Sequence, residues 1–286
     1  MSIYDLYEQG TDLVAPKATK FYRTYLRSGV HKGTGQAVII KTHRIDPMEA
    51  AEMQRNDKFE YQTLIHQLRL EAHALERLKA NENVVNRIDY EEDSTCLNEI
   101  TIVMERARGM SLETQIGTAG PMQSHLFQQF GEQLIKAVTG MHRLGVVHRD
   151  LSPMNIFVEV QEEHLVGLTL IDLGLAYIRG SGIRHKAALT HGYAPPEAVG
   201  HLLRRVDTTH DIYSLGAILH YALTGQEAYG VPLLTTPDDE QGYRSIQRDD
   251  VPEHVKEQIR DCLRYDPKMR PASAADLRRM FRGKGW

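Results

Sequence analysis

The chain changes its periodicity once, near Gly109, and that change constrains its fold more than any other feature. Before it, apolar residues alternate or run in short β-branched stretches. "FYRTYLRSGVH" (21–31), "GQAVIIKTH" (35–43), "VVNRIDYEED" (84–93) and "EITIVMERARG" (99–109) read as strands. The turn signal "KGTG" between the first two predicts a hairpin. One segment breaks the pattern: over 57–79, Leu64, Leu68, Leu75 and Leu78 share a helical face and predict one long helix. After Gly109, helical spacing prevails. It runs through 124–145, ending at Gly145 as a C-cap, through 210–225, ending at Gly225, and through the amphipathic stretches 254–266 and 272–281. Strands first and helices after predict an α+β chain of two lobes. The small β-rich N-lobe covers about 1–106 and the larger, mainly helical C-lobe about 107–286.

Composition narrows the function by exclusion. A net charge of −4 gives no bulk attraction to nucleic acid or to an anionic membrane, so neither is expected as a partner. Cys96 and Cys262 lie far apart with no ligand spacing, as buried or incidental thiols in a reducing compartment do. The N-terminus shows no apolar signal region and no stretch is long enough to span a bilayer. The expectation is a cytoplasmic protein.

The chemistry is concentrated in "HRDLSPMN" (148–155). An aspartate that orients the proton of an attacking hydroxyl, followed five residues on by an amide that holds a metal ion, is the arrangement phosphoryl transfer requires. Asp150 and Asn155 occupy those positions. Upstream, the strand "VIIK" ends at Lys41, by itself an ordinary place for a solvated charge, and Glu71 on the long helix, beside the Leu68 and Leu75 stripe, is its natural ion-pair partner. Downstream, Asp172-Leu173-Gly174 follows the apolar run "LTLI", and its carboxylate suits a hard cation such as Mg2+. "THGYAPPE" closes the series at Glu197.

These ordered elements resemble the eukaryotic-type (Hanks-type) serine/threonine protein kinases from about Leu26 to the C-terminus. The resemblance implies a bilobal protein-kinase fold and an enzyme that uses ATP and Mg2+ (or Mn2+) to phosphorylate protein substrates. It makes Asp150, Lys41, Glu71 and Arg149 the catalytic set, and Asn155 and Asp172 the metal ligands. It places adenine against Leu26, Ile39, Met104 and Phe157, with the hinge at Glu105 to Ala107. It pairs Arg270 with Glu197 and gives Asp211 the task of holding the catalytic-loop backbone. Thr190 falls beside the catalytic aspartate. Ser181 and Thr190 become candidates for autophosphorylation, with Arg149 as the phosphate receiver.

The chain also departs from the family. Counting back from Lys41, the glycines of the phosphate-covering loop fall on Thr19, Phe21 and Thr24, none of them glycine. Gly33-Thr34-Gly35 is a hairpin turn rather than a substitute. Ser152 stands where a lysine usually contacts the γ-phosphate, and Ile39 and Phe157 are bulky for an adenine slot. A catalytically impaired pseudokinase, acting as a nucleotide-sensing or scaffolding module, is therefore the alternative. A small-molecule kinase is a third, opposed by "THGYAPPE", Asp211 and "DPKMRP". The long interval between Lys41 and Glu71 leaves room around "DPMEAAEMQRND" for an extra turn, a separate helix or an extension of the long one.

Overall fold

The computed structural model describes residues 2–19, 21–92, 99–181, 190–199, 207–229 and 242–281. The chain divides into two compact units, one of residues 1–80 and 85–107, the other of 81–84 and 108–286. The short segment 81–84 thus belongs with the second unit, a return that a single break near residue 107 does not express.

The first unit opens on a short helix α1 (Ile3–Leu6), closed by a capping box between Ser2 and Asp5. Strands β1 (Tyr7–Asp12), β2 (Lys17–Ala18), β3 (Tyr22–His31) and β4 (Ala37–Ile45) follow. Helices α2 (Pro47–Asn56) and α3 (Lys58–Leu78) precede β5 (Arg87–Glu92) and β6 (Glu99–Glu105). The strands form one antiparallel sheet in the order β1-β3-β4-β6-β5, with β2 paired to β3. The fold therefore begins well before Leu26. "YEQGTD" carries no apolar alternation and its partner strand lies beyond a long turn, so β1 has no local signature.

Alternation along β4 divides the work of its two faces. Val38 and Ile40 point one way and pack with Ile3, Tyr7 and Val103 under α1 and β1. Ile45 points the other way and joins Ile100, Ala50, Met53, Leu64, Ile65 and Leu68 in a second core, where α2 and α3 cover the sheet. Leu64, Leu68, Leu75 and Leu78 are all buried, which is why α3 lies as it does. The extra segment is a separate helix, not an extension of α3. Asp46 accepts the N–H groups of Met48 (2.9 Å) and Glu49 (3.1 Å) as N-cap, Pro47 opens α2, and the chain breaks at Asp57.

The second unit contains β7 (Met110–Ser111), α4 (Leu112–Ala119), α5 (Ser124–Arg143) and β8 (Val146–Val147). A 3-10 turn at Pro153–Asn155 leads into the hairpin β9 (Ile156–Gln161) and β10 (His164–Leu170), followed by β11 (Tyr177–Ile178). Then come α6 (Pro196–Val199), α7 (Thr209–Thr224) and α8 (Glu253–Cys262). β10, β9 and β7 make one small sheet, β11 and β8 another.

Helix α7 is buried on all sides, with every residue from His210 to His220 inside, so it serves as the axis of this unit. A Cβ on Gly216 would lie 2.5 Å from the Cβ of Cys262, so glycine is what lets α8 pack this close to α7. The final segment, Ala274–Phe281, is a 3-10 helix where an α-helix was expected. Over two turns the spacing of Leu277, Met280 and Phe281 buries one face in either helix, so periodicity does not separate them. Among the described residues no helix is long and apolar enough to cross a membrane.

Candidate active site

In the first unit, strand register brings four of the predicted residues onto one face. Leu26 of β3 lies opposite Lys41 of β4, and Ile39 of β4 opposite Met104 of β6. Cross-strand partners share a face and residues two apart on a strand do too, so all four point to the same side. Helix α3 covers the same side. Its apolar stripe seats Glu71 between Leu68 and Leu75, where it is 2% exposed, and Lys41 Nζ meets Glu71 Oε2 at 2.6 Å. A charge pair this deeply placed costs desolvation that its attraction only offsets, so the arrangement argues for a task beyond stability.

Glu105 ends β6 in solvent. Its N–H donates to the Asn86 carbonyl (3.0 Å), and Asn86 Nδ2 donates back to its carboxylate (3.2 Å). Ala107, half-buried, is the last residue of this unit. Thr19 sits in the turn between β2 and β3, and Phe21 immediately before β3. Thr24 lies within β3, its Oγ1 2.9 Å from His43 Nδ1. Gly33 and Gly35 form the β3–β4 turn, where His31 Nδ1 accepts the N–H groups of Gly33 and Thr34 at 3.2 Å each.

In the second unit, Asp211 at the start of α7 organises the loop after β8. Its carboxylate is fully buried and accepts the N–H groups of His148 and Arg149, both at 2.8 Å, and a hydrogen bond from His142 Nε2 at 2.8 Å. Burial alone pushes this carboxyl up; the hydrogen bond and charge of His142, with His148 and the Arg149 N–H, outweigh it and hold the group down at about 2. The clamp holds Arg149 at φ 67°, a left-handed conformation that an arginine rarely adopts. Arg149 itself is buried, and its Nη1 donates to the Leu175 carbonyl at 3.3 Å. His148 accepts the Asp150 N–H at 3.4 Å through Nδ1 and donates to the Ile171 carbonyl at 3.1 Å through Nε2.

That geometry sets out the reactive groups. Asn155 Nδ2 donates to the Asp150 carbonyl (2.9 Å) and to Asp150 Oδ2 (3.2 Å), while Thr190 Oγ1 donates to Asp150 Oδ1. The Ile171 N–H donates to the Asn155 carbonyl at 3.0 Å, so Asp172 directly follows the residue that pairs with Asn155. Asp172 is also left-handed, at φ 59°, and accepts the Gly174 N–H at 3.3 Å. Because the Asn155 amide nitrogen is committed to Asp150, its oxygen is the end that can accept a cation. Among the described residues no three His, Cys, Asp or Glu side chains form a metal cage. Asn155 with Asp172 supplies hard oxygen donors, the partial set that a Mg2+ completed by phosphate and water needs.

Phe157 lies half-buried in β9, opposite Ser111 and Thr169. Ser152 is buried in an extended backbone, so no charge stands at that point. Arg270 grips Glu197 with two parallel bonds of 2.7 and 2.8 Å. Ser181 is described, with its N–H on the Ile178 carbonyl at 3.1 Å, whereas 182–189 and Cys96 fall outside the described residues. Sequence reasoning missed His142, whose only signal is a polar ring in the last turn of an otherwise apolar-faced α5, six residues before His148.

A family model described as the protein kinase domain matches residues 25–281. The chain belongs to this family, in its eukaryotic (Hanks) type, and its fold is the α+β protein-kinase fold. It is 29% identical over 224 residues to a probable myosin light chain kinase of Dictyostelium discoideum, covering 78% of this chain and 51% of that one. It is 32% identical over 157 residues to the probable serine/threonine-protein kinase zyg-1 of Caenorhabditis elegans, covering 54% of this chain and 21% of that one. CBL-interacting protein kinase 11 of Oryza sativa subsp. japonica is 28% identical over 283 residues, 96% of this chain and 50% of its own. The chain thus spans from about a fifth to about half the length of these relatives.

Proposed function

We propose that this chain is a serine/threonine protein kinase that transfers the γ-phosphoryl group of ATP, with Mg2+ (or Mn2+), to hydroxyl groups of protein substrates. The observation that carries the proposal is the Asp150 carboxylate, held by Asn155 on one oxygen and by the Thr190 hydroxyl on the other. A carboxylate presented to an aliphatic hydroxyl at hydrogen-bond range is what a general base for serine or threonine requires. Arg149, the residue before it, positions it through its clamped backbone and its bond to the Leu175 carbonyl.

In this reading Lys41, oriented by Glu71, holds the α- and β-phosphates, and Leu26, Ile39 and Met104 offer the first unit's apolar surface to adenine, with hinge contacts from Glu105 and Ala107. Phe157 is assigned to adenine binding by the family resemblance alone. Asn155 and Asp172 would hold the divalent ion, which when bound neutralises charge on the phosphates. Asp150 orients the substrate hydroxyl and takes its proton. Ser152 supplies no charge at the γ-phosphate. The missing charge-assisted bond costs roughly 1.5–3 kcal/mol, slowing transfer by about one to two powers of ten. Of the two candidate autophosphorylation sites, Thr190 is the one whose oxygen already sits on Asp150. A cytoplasmic setting, with no nucleic-acid or membrane partner, is proposed from composition alone.

A second reading, a nucleotide-sensing pseudokinase, is favoured by the glycine-free loop and Ser152. Radiolabelled-ATP incorporation into protein, run beside Asp150→Ala and Lys41→Ala with Mg·ATP affinity measured in parallel, separates the two. Phosphate incorporation by the wild type, lost in both variants, supports the kinase. Tight binding without transfer supports the pseudokinase, and equal incorporation by all three proteins refutes the residue roles.

A further inference from the structure

The turn that replaces the glycine loop is closed by its own side chain. Thr19 Oγ1 accepts the N–H groups of Phe21 (3.3 Å) and Tyr22 (3.1 Å) and donates to the Tyr22 carbonyl (3.0 Å). A hydroxyl has one proton and two lone pairs, so every hydrogen-bonding capacity of the Thr19 hydroxyl is spent inside this turn. Consecutive backbone N–H groups facing one point are the device by which loops hold anions. Here an uncharged oxygen already occupies that point.

The turn is also tied down. The Phe21 carbonyl accepts the N–H of Asp46, the N-cap of α2, at 3.0 Å. Phe21 and Tyr22 pack on the core that α2 and α3 share with Ile45 and Ile100. Tyr22 meets the His43 ring edge-on with centroids 5.9 Å apart, and Thr24 bonds the same histidine. Glycine would leave such a loop free to fold over a ligand. These contacts instead fix Phe21 and Tyr22 through α2, the helix inserted between Lys41 and Glu71.

We propose that Thr19 is a resident stand-in for nucleotide phosphate: its hydroxyl occupies the Phe21 and Tyr22 amides, and the anchor on α2 and α3 keeps it there. The inference rests on the kinase reading and deepens it, because it makes nucleotide affinity depend on adenine and Lys41 with little help from the loop. Thr19 is accordingly an affinity-setting residue, and removing its oxygen releases two donors to the phosphates.

The test measures affinities for Mg·ATP, Mg·ADP and adenosine by calorimetry on the whole chain, for wild type, Thr19→Val, Thr19→Gly and Thr19→Ser. Valine keeps the branched shape without the oxygen, glycine restores the loop's permissive residue, and serine keeps the hydroxyl. One released donor reaching a charged phosphate is worth about tenfold in affinity. Thr19→Val and Thr19→Gly should therefore bind Mg·ATP about tenfold tighter with adenosine unchanged, and Thr19→Ser should match the wild type. In turnover, the KM for ATP should fall. Equal changes for all three ligands, or no change in the ratio of ATP to adenosine affinity, overturn the proposal while leaving the kinase reading intact. A wild type that binds neither adenosine nor Mg·ATP overturns both.

Discussion

Replacing Arg270 by lysine keeps the charge and removes the geometry, which makes it a sharp test of how the second unit is held. All five guanidinium donors have partners: Nε on the Arg264 carbonyl (2.8 Å), Nη1 on Glu197 and the Thr209 carbonyl (2.7 and 3.2 Å), and Nη2 on Glu197 and the Tyr265 carbonyl (2.8 and 3.1 Å). The group also lies over the Tyr213 ring, 5.0 Å from its centroid. An ammonium has three donors on one atom and cannot span both Glu197 oxygens while reaching three carbonyls. At least two bonds are lost, one of them to a carboxylate, and the Arg270 side chain is 0% exposed, so water does not readily replace them. The expected cost is about 3–4 kcal/mol. For a unit of this size that lowers the melting temperature by roughly 10 °C. Calorimetry on Arg270→Lys reads the shift directly, and Glu197→Gln with the double variant completes a cycle whose coupling should exceed about 1 kcal/mol. A melting temperature within 2 °C of the wild type would refute the view that planar bidentate geometry, rather than charge, fastens Glu197 to this unit.

Asp211 has a carboxyl held at about 2 against an ordinary 3.8, so the stability it confers is complete above pH 4 and is lost as pH falls toward 2. Urea unfolding across that range should show about 2 kcal/mol of acid-dependent loss attributable to this group. Asp211→Asn should be weaker at pH 7 and flatter below pH 4; an unchanged slope would count against it. Lys41→Met leaves Glu71, 2% exposed, without its cation, and should cost about 3–5 kcal/mol as well as activity. Adding Glu71→Gln should restore stability but not phosphoryl transfer, and a double variant no more stable than the single one would sink the argument. Gly109→Ala places a Cβ 2.0 Å from the Val158 carbonyl oxygen at a backbone φ of +77°, so denaturation should show a loss above about 3 kcal/mol. A loss under 1 kcal/mol would mean that the β7–β9 approach is loose.

What could be read from the chain was whatever repeats locally. Alternation marked β3, β4 and β6, and the leucine stripe marked α3, because burial of one face leaves a period in the sequence. Segments without such a period escaped. β1 is polar and recognisable only through its pairing with β3, and the 3-10 character of Ala274–Phe281 depends on backbone bonds that apolar spacing does not encode. Helix α2 was half visible. The sequence left room there for a turn, a helix or an extension of α3, and only the Asp46 cap and the break at Asp57 make it a separate helix.

By itself the sequence determined the chemical inventory: which acids, amides and amines exist, and that Asp150 and Asn155 share one short turn. Residues five apart in a constrained loop can scarcely avoid each other. The family resemblance pointed to Asp211, 63 residues from His148, as the clamp of that loop and to Glu71 as the partner of Lys41, and the fold makes both contacts. Tertiary structure alone decided that His142 would share the Asp211 carboxylate. It also decided that Thr19 would turn its hydroxyl inward, with Phe21 and Tyr22 pinned on α2. Such contacts have no period and no fixed spacing. They arise because burying the apolar faces brings distant polar groups together, and each must then find a partner or bear the cost of leaving water.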